Sequence, residues 1–243
     1  MNLSETSSAT ATWLILIQIC NSGQICININ QVAVAEEVSD KFIEELQCAI
    51  VNQIGEKAYL NPEYPKLIGQ RAFENIAKEA EEYRDRIVFG GEGDINTLKY
   101  SPTVIYPVGI NEPIVNHEIF GPLLPVVTYK DNEVDQLLDV IARREHGLAL
   151  YLFTKNKKWA KKVMQTQQYG GGCINEVCLH LMVKGVPFNG TGHSGMGAYH
   201  GVWGFREFTH PSTVLFGKTK MNLSLREHPY TKKKKSLFSK FLK

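Results

Sequence analysis

Short apolar, β-branched runs alternate with amphipathic helical segments along most of this 243-residue chain. That alternation limits the fold more than any other feature of the sequence. Residues 31–34, 87–89, 103–106, 123–129, 148–153 and 172–174 have the length and composition of strands. Between them, residues 39–54 carry Phe42, Ile43, Leu46 and Ile50 at helical spacing, with Gly55 as a stop. Residues 70–86 read as a helix with a Glu/Lys-rich outer face, and residues 133–144 place Val134, Leu137, Leu138 and Ile141 on one side. A further helix is expected over 159–167. Strands that alternate with helices need crossover connections, which predicts an α/β fold on a doubly wound, mainly parallel sheet. Residues 205–217 read as a later extended segment rich in Thr, Val and Phe.

Charge is unevenly placed. The net formal charge is +2, yet residues 218–243 hold nine Lys/Arg against one Glu, and everything before them holds 18 basic against 24 acidic residues. A mildly acidic body gives no reason to expect nucleic-acid binding. The basic tail is different: residues 232–243 mix lysines with Leu237, Phe238, Phe241 and Leu242, a pattern that fits peripheral contact with an anionic membrane. The apolar run 13–19 is too short to span a bilayer and fits a buried strand or helix turn better than a targeting signal. Residues 1–20 as a whole look foreign to the rest of the chain, an unrelated or disordered lead-in.

Five cysteines, an odd number at irregular spacing, argue against a disulfide framework and for a reducing, cytoplasmic setting. Their spacing does not suit zinc, and His193, His200 and His210 have no carboxylates at ligand spacing, so no metal site is expected. Cys26 stands apart, because it comes directly after the polar, glycine-containing turn Asn21-Ser22-Gly23-Gln24-Ile25. A thiol attacks a carbonyl only from a partly exposed, donor-rich setting, and such a turn offers backbone N–H groups to an oxyanion. By residue type alone, a buried core cysteine fits as well; Cys20, Cys48, Cys173 and Cys178 are read that way. Two more stretches carry chemistry. In Glu118-Ile119-Phe120-Gly121-Pro122 a carboxylate precedes an aromatic ring, and Gly-Pro on its own also fits a plain turn. The run 187–201 holds Phe188, Asn189 and five glycines without phosphate-loop spacing.

In this order the three stretches resemble the aldehyde dehydrogenase superfamily. The segments 195–201 and 208–213 are similar to its class 3, or fatty-aldehyde, branch. The resemblance runs from about residue 21 to the mid-220s. It implies that Cys26 is the nucleophile, that Glu118 holds the nicotinamide ribose of NAD or NADP beside Phe120, and that Phe188 and Asn175 line an aldehyde tunnel. It further implies oxidation of fatty aldehydes to acids through a cysteine thiohemiacetal and thioester. Two departures stand out: Ile29-Asn30-Gln31 replaces a Pro-Asp-Tyr stretch, and Asn189 replaces a glycine, where a turn with positive φ is expected to survive.

The family's Rossmann-type half and its general-base glutamate lie upstream of the nucleophile. The expectation is therefore a catalytic portion without its N-terminal Rossmann domain, impaired on its own. Residues 21–204 form its catalytic domain, 205–217 a strand that joins a partner in a homodimer, and 218–243 the basic tail. Two other readings stay open: a non-catalytic fragment that modulates a full-length partner, and a cysteine esterase.

Overall fold

A computed structural model of the protein describes residues 6–219 and 224–241. In chain order it contains α1 (Thr6–Cys20), β1 (Val32–Ala35), α2 (Ser39–Ile54), α3 (Gln70–Glu82), β2 (Ile87–Phe89), β3 (Gly93–Asp94), β4 (Lys99–Tyr100), β5 (Thr103–Val108) and β6 (Leu123–Tyr129). Next come α4 (Val134–Ala142), β7 (Ala149–Leu152), α5 (Lys157–Thr166), β8 (Gly171–Ile174), β9 (Phe188–Asn189), β10 (Ala198–Tyr199), α6 (Val202–Glu207) and α7 (Lys232–Phe241).

The main sheet has the order β1-β6-β5-β2. β1 and β5 both run parallel to β6, in registers Val32↔Val126 and Thr103↔Leu123, and only β2 is antiparallel. A second parallel pair joins β7 to β8, with Ala149 opposite Gly171. The central strands are apolar on both faces, as parallel strands covered on both sides must be. Val104, Leu124 and Val126 pack under α1 and α2, whereas Ile105, Leu123 and Val127 pack under α3. The helices therefore cover both faces, and the expected α/β architecture with a mainly parallel sheet is present.

α2 covers the sheet because Phe42, Ile43, Leu46 and Ile50 recur on one stripe, and all four are buried. It stops at Gly55, whose φ of 89° suits a residue without a Cβ. The expected helix over 70–86 ends earlier: α3 stops at Glu82 and a 3-10 turn takes up Arg84–Arg86.

Three expectations need correction. Residues 6–20 are no disordered lead-in but a helix built into the core, with Ala11, Leu14, Ile15 and Gln18 buried; residues 1–5 lie outside those described. Cys20 and Cys48 are exposed rather than core, while Cys173 and Cys178 are half-buried. The segment 205–217 is not extended throughout, since α6 carries residues 205–207. From 209 to 218 the chain forms neither helix nor strand.

The chain divides into a larger unit, Met1–Glu207, and a smaller one, Phe208–Lys243. Within the smaller unit, α7 begins after Thr231, whose hydroxyl accepts the Lys234 N–H at 3.4 Å. Tyr230 meets Phe238 edge to face at 6.4 Å. No helix of the described residues is long and apolar enough to cross a membrane.

The role of α1 is directly testable. Ile15 is 1% exposed, so Ile15→Ala is expected to cost about 2–5 kcal/mol, from lost transfer energy and the cavity left behind. Urea unfolding measures it; a change within about 0.5 kcal/mol, as expected of an unpacked lead-in, would contradict the packing.

Candidate functional site

Cys26 sits just beyond α1, on a turn folded tightly on itself. Ser22 and Gly23 take φ of 49° and 72°. The Gln24 N–H reaches the Asn21 carbonyl at 3.0 Å, and the Asn21 and Gln24 side chains close the turn from both sides. Gln24 also anchors it to the segment ahead of α3: its Oε1 accepts the Ile68 N–H at 2.8 Å and its Nε2 donates to the Lys66 carbonyl at 3.2 Å. The Cys26 side chain is left exposed. Among the described residues no backbone carbonyl accepts the Cys26 N–H, so it remains available to an oxyanion.

Below the turn lies Gln18, a side chain that sequence reasoning missed. It is 1% exposed, the one polar side chain in the apolar run 13–19 of α1. Its Nε2 donates to the Ile29 carbonyl at 2.8 Å, and its Oε1 accepts from Asn28 Nδ2 at 3.2 Å. A buried amide must satisfy both ends, and here both ends fasten the chain just after Cys26 to α1. The only available signal was one polar residue in the run Trp13-Leu-Ile-Leu-Ile-Gln-Ile19.

The Cys26 turn and the Glu118–Pro122 stretch meet backbone to backbone. A Cβ on Gly23 would collide with the carbonyl oxygen of Gly121. Glycine is therefore required twice over, for its φ and for this contact. The far side of the stretch rests on α3, where Ile76 fills the space that a Cβ on Gly121 would need. Asn30 adds two bonds: its Nδ2 donates to the His117 carbonyl and its Oδ1 accepts the Ile119 N–H, each at 2.8 Å. Ile119 is buried, whereas Glu118 is exposed and Phe120 is 48% exposed. Phe120 holds a φ of 50°, a left-handed conformation that costs a bulky residue about 1–3 kcal/mol and turns the ring outward.

A cleft of about 350 Å³ opens beside this stretch, between α3 and residues 117–119. Glu79, Glu82, His117 and Glu118 line it. Glu79 pairs with His117 Nε2 at 2.8 Å, and the His117 Nδ1 faces the Pro113 carbonyl at 3.0 Å. Burial raises the Glu79 carboxyl above its usual range, with His117 acting in the opposite sense. Lys78 lines it as well, and the three carboxylates suit a sugar diol or a cationic ring.

Phe188 and Asn175 belong to the β7–β8 side. Phe188 is 8% exposed and lies among rings: His180 at 6.2 Å, Tyr199 at 5.4 Å and His200 at 6.0 Å. His180 meets Tyr151 at 5.9 Å, and the Tyr151 hydroxyl donates to the Ile27 carbonyl at 2.8 Å, so this series of contacts ends next to Cys26. Burial raises the Tyr151 hydroxyl and lowers His180, which keeps both neutral. The exposed Asn175 holds Thr154 by both ends of its amide: it accepts the Thr154 N–H at 2.8 Å and donates to the Thr154 carbonyl at 2.9 Å. Asn189 needs no positive φ after all; it lies in β9, opposite Ala198, so the replaced glycine is absorbed by an ordinary strand position.

Residues 6–214 match the aldehyde dehydrogenase family. Aldehyde dehydrogenase family 3 member H1 of Arabidopsis thaliana is 35% identical over 217 residues, which is 88% of this chain and 44% of that protein. The substrate-bound structure of Staphylococcus aureus AldH superposes with a TM-score of 0.91 at 30% identity, over 98% of this chain and 51% of that one. An NAD-dependent aldehyde dehydrogenase from Sinorhizobium meliloti gives 0.70 at 26% identity, over 83% and 40%. The chain thus spans about half the length of the curated relatives it matches.

Proposed function

The chain belongs to the aldehyde dehydrogenase family, and from that premise we propose that it carries the nucleophile and the nicotinamide end of an aldehyde-oxidising site. The observation behind this reading is the seam between Gly23 and Gly121, which sets the exposed Cys26 turn against the exposed Glu118 and Phe120. The Cys26 thiolate adds to the aldehyde carbon, and the carbonyl oxygen becomes an oxyanion facing the Cys26 N–H. The resulting thiohemiacetal loses a hydride, which NAD or NADP accepts when bound. Water then cleaves the thioester, giving the carboxylic acid and returning the thiol. Glu118 would hold the nicotinamide ribose diol by accepting its hydrogen bonds, and Phe120 would flank the ring. The carboxylates of the cleft fit the diol and the positive ring. Phe188 supplies an apolar wall for a medium- or long-chain aldehyde. Asn175 is exposed; beyond its two bonds to Thr154 its amide keeps one N–H and one lone pair for a substrate on that side.

Hydrolysis of p-nitrophenyl acetate and formation of NADH from hexanal test this reading on the 243-residue chain. Cys26→Ser is expected to lower ester cleavage at least about 100-fold, as loss of a covalent nucleophile does. Unchanged cleavage excludes Cys26. Cleavage that depends on Cys26 with little or no NADH is the outcome expected of a catalytic portion impaired on its own; NADH formed at a normal rate overturns that impairment.

The basic helix α7 supports a second proposal, contact with an anionic membrane. Leu237 and Phe238 are 45% and 36% exposed beside Lys232–Lys235, and each lysine near such a surface contributes about 1 kcal/mol. Co-sedimentation with phosphatidylserine vesicles is expected for the full chain and not for one ending at Tyr230; equal binding removes the proposal.

The segment after α6 supports a homodimer. Phe208, Val214, Leu215 and Phe216 are 73–92% exposed, and a row of apolar side chains on backbone without a ladder suits strand addition to a second copy. Sedimentation velocity is expected to show a dimer that Leu215→Asp with Phe216→Asp converts to monomer. A monomeric wild type overturns it.

A further inference from the structure

Asn30 grips the backbone on both sides of one residue. The His117 carbonyl, which accepts from its Nδ2, lies in the peptide plane before the Glu118 Cα. The Ile119 N–H, which donates to its Oδ1, lies in the plane after it. Any rotation about φ or ψ of Glu118 turns one plane against the other and breaks one of these bonds. We propose that Asn30 is the positioning residue that fixes the Glu118 carboxylate relative to the Cys26 thiol. The inference rests on the reading of Glu118 as the ribose-holding group.

Three features support it. First, Asn30 lies four positions after Cys26, on the chain that Gln18 fastens to α1, so thiol and carboxylate share one frame. Second, Glu118 is exposed, and among the described residues no other hydrogen bond reaches the peptide groups on either side of it, although His117 and Ile119 are held through their side chains. Third, the grip needs a carboxamide. It must donate to a carbonyl and accept from an N–H, and an amide has one end for each. An aspartate offers two acceptors, keeping the Ile119 bond and setting an oxygen against the His117 carbonyl. An alanine offers neither. The seam at Gly23 and Gly121 is independent of Asn30, so the stretch stays seated when the side chain is changed.

The test uses nicotinamide mononucleotide, which carries the nicotinamide ribose without the adenosine half, as a shield of Cys26 against iodoacetamide. Mass spectrometry of the Cys26 peptide gives the alkylation rate against nucleotide concentration. The wild-type chain is expected to be shielded, and Glu118→Gln not. In Asn30→Ala the shielding midpoint should rise about tenfold, the equivalent of one net hydrogen bond. The rate without nucleotide should stay close to wild type, although the unpaired Ile119 N–H lowers the melting temperature; a purely structural role would lower the melting temperature and leave the shielding midpoint unchanged. Asn30→Asp should fall between the two. Shielding that is lost in Glu118→Gln and unchanged in Asn30→Ala overturns the positioning role alone. No shielding of wild type overturns the ribose reading and the inference with it. Amide exchange at Ile119 gives a second measure, through the milder Asn30→Asp variant. Protection in wild type that persists there is expected, and rapid exchange in the wild type overturns the grip.

Discussion

The contact between Gly23 and Gly121 is the constraint on which the rest of the site depends. Two backbone segments far apart in sequence touch with no side chain between them. Interiors pack at crystal-like density, so a single added methyl has nowhere to go. Everything around the contact serves to hold it. Gln18 and Gln24 fasten one segment, and Ile76 supports the other. The exposed groups, Cys26 on one side and Glu118 with Phe120 on the other, are carried on a backbone that cannot shift freely.

The arrangement separates rigidity from chemistry. Buried polar side chains, Gln18 above all, satisfy backbone groups and leave the reactive groups to solvent. On the β7–β8 side the roles reverse. There Phe188, His180 and Tyr151 are packed together, and burial holds the two ionisable rings neutral. The larger unit thus holds a packed cluster of neutral rings and, elsewhere, a cleft edged with carboxylates.

Much of the sheet could be read from composition. Residues 123–129 and 87–89 are strands at the expected positions, and residues 39–54 are the expected helix, because burial on one or both faces leaves a periodic record. α1 left no such record. Its run from Trp13 to Ile19 is apolar nearly all round, so no polar stripe distinguished a core helix from foreign sequence. Element ends were less legible: capping turns decide where α3 stops, and they depend on local bonds rather than pattern. The motif residues Cys26, Glu118 and Phe120 were visible as residue types. What joins them was not, since Asn30 reaches His117 and Ile119 across a separation that no local pattern encodes. Asn175 was visible too, but its partner Thr154 was not, and that partner decides what its amide does.

The register of the main sheet has a consequence for how the chain is made. Among the described residues β1 borders only β6, Val32 facing Val126, so the strand just after the cysteine turn finds its neighbour only once β6 has left the ribosome. Parallel pairing over that separation pays its loop-closure entropy before any ladder bond forms. During synthesis the oily faces of α1 and α2 wait without a sheet to cover, and the cysteine turn waits without Gly121. Apolar surface left uncovered until β6 and Gly121 are made favours self-association in that interval.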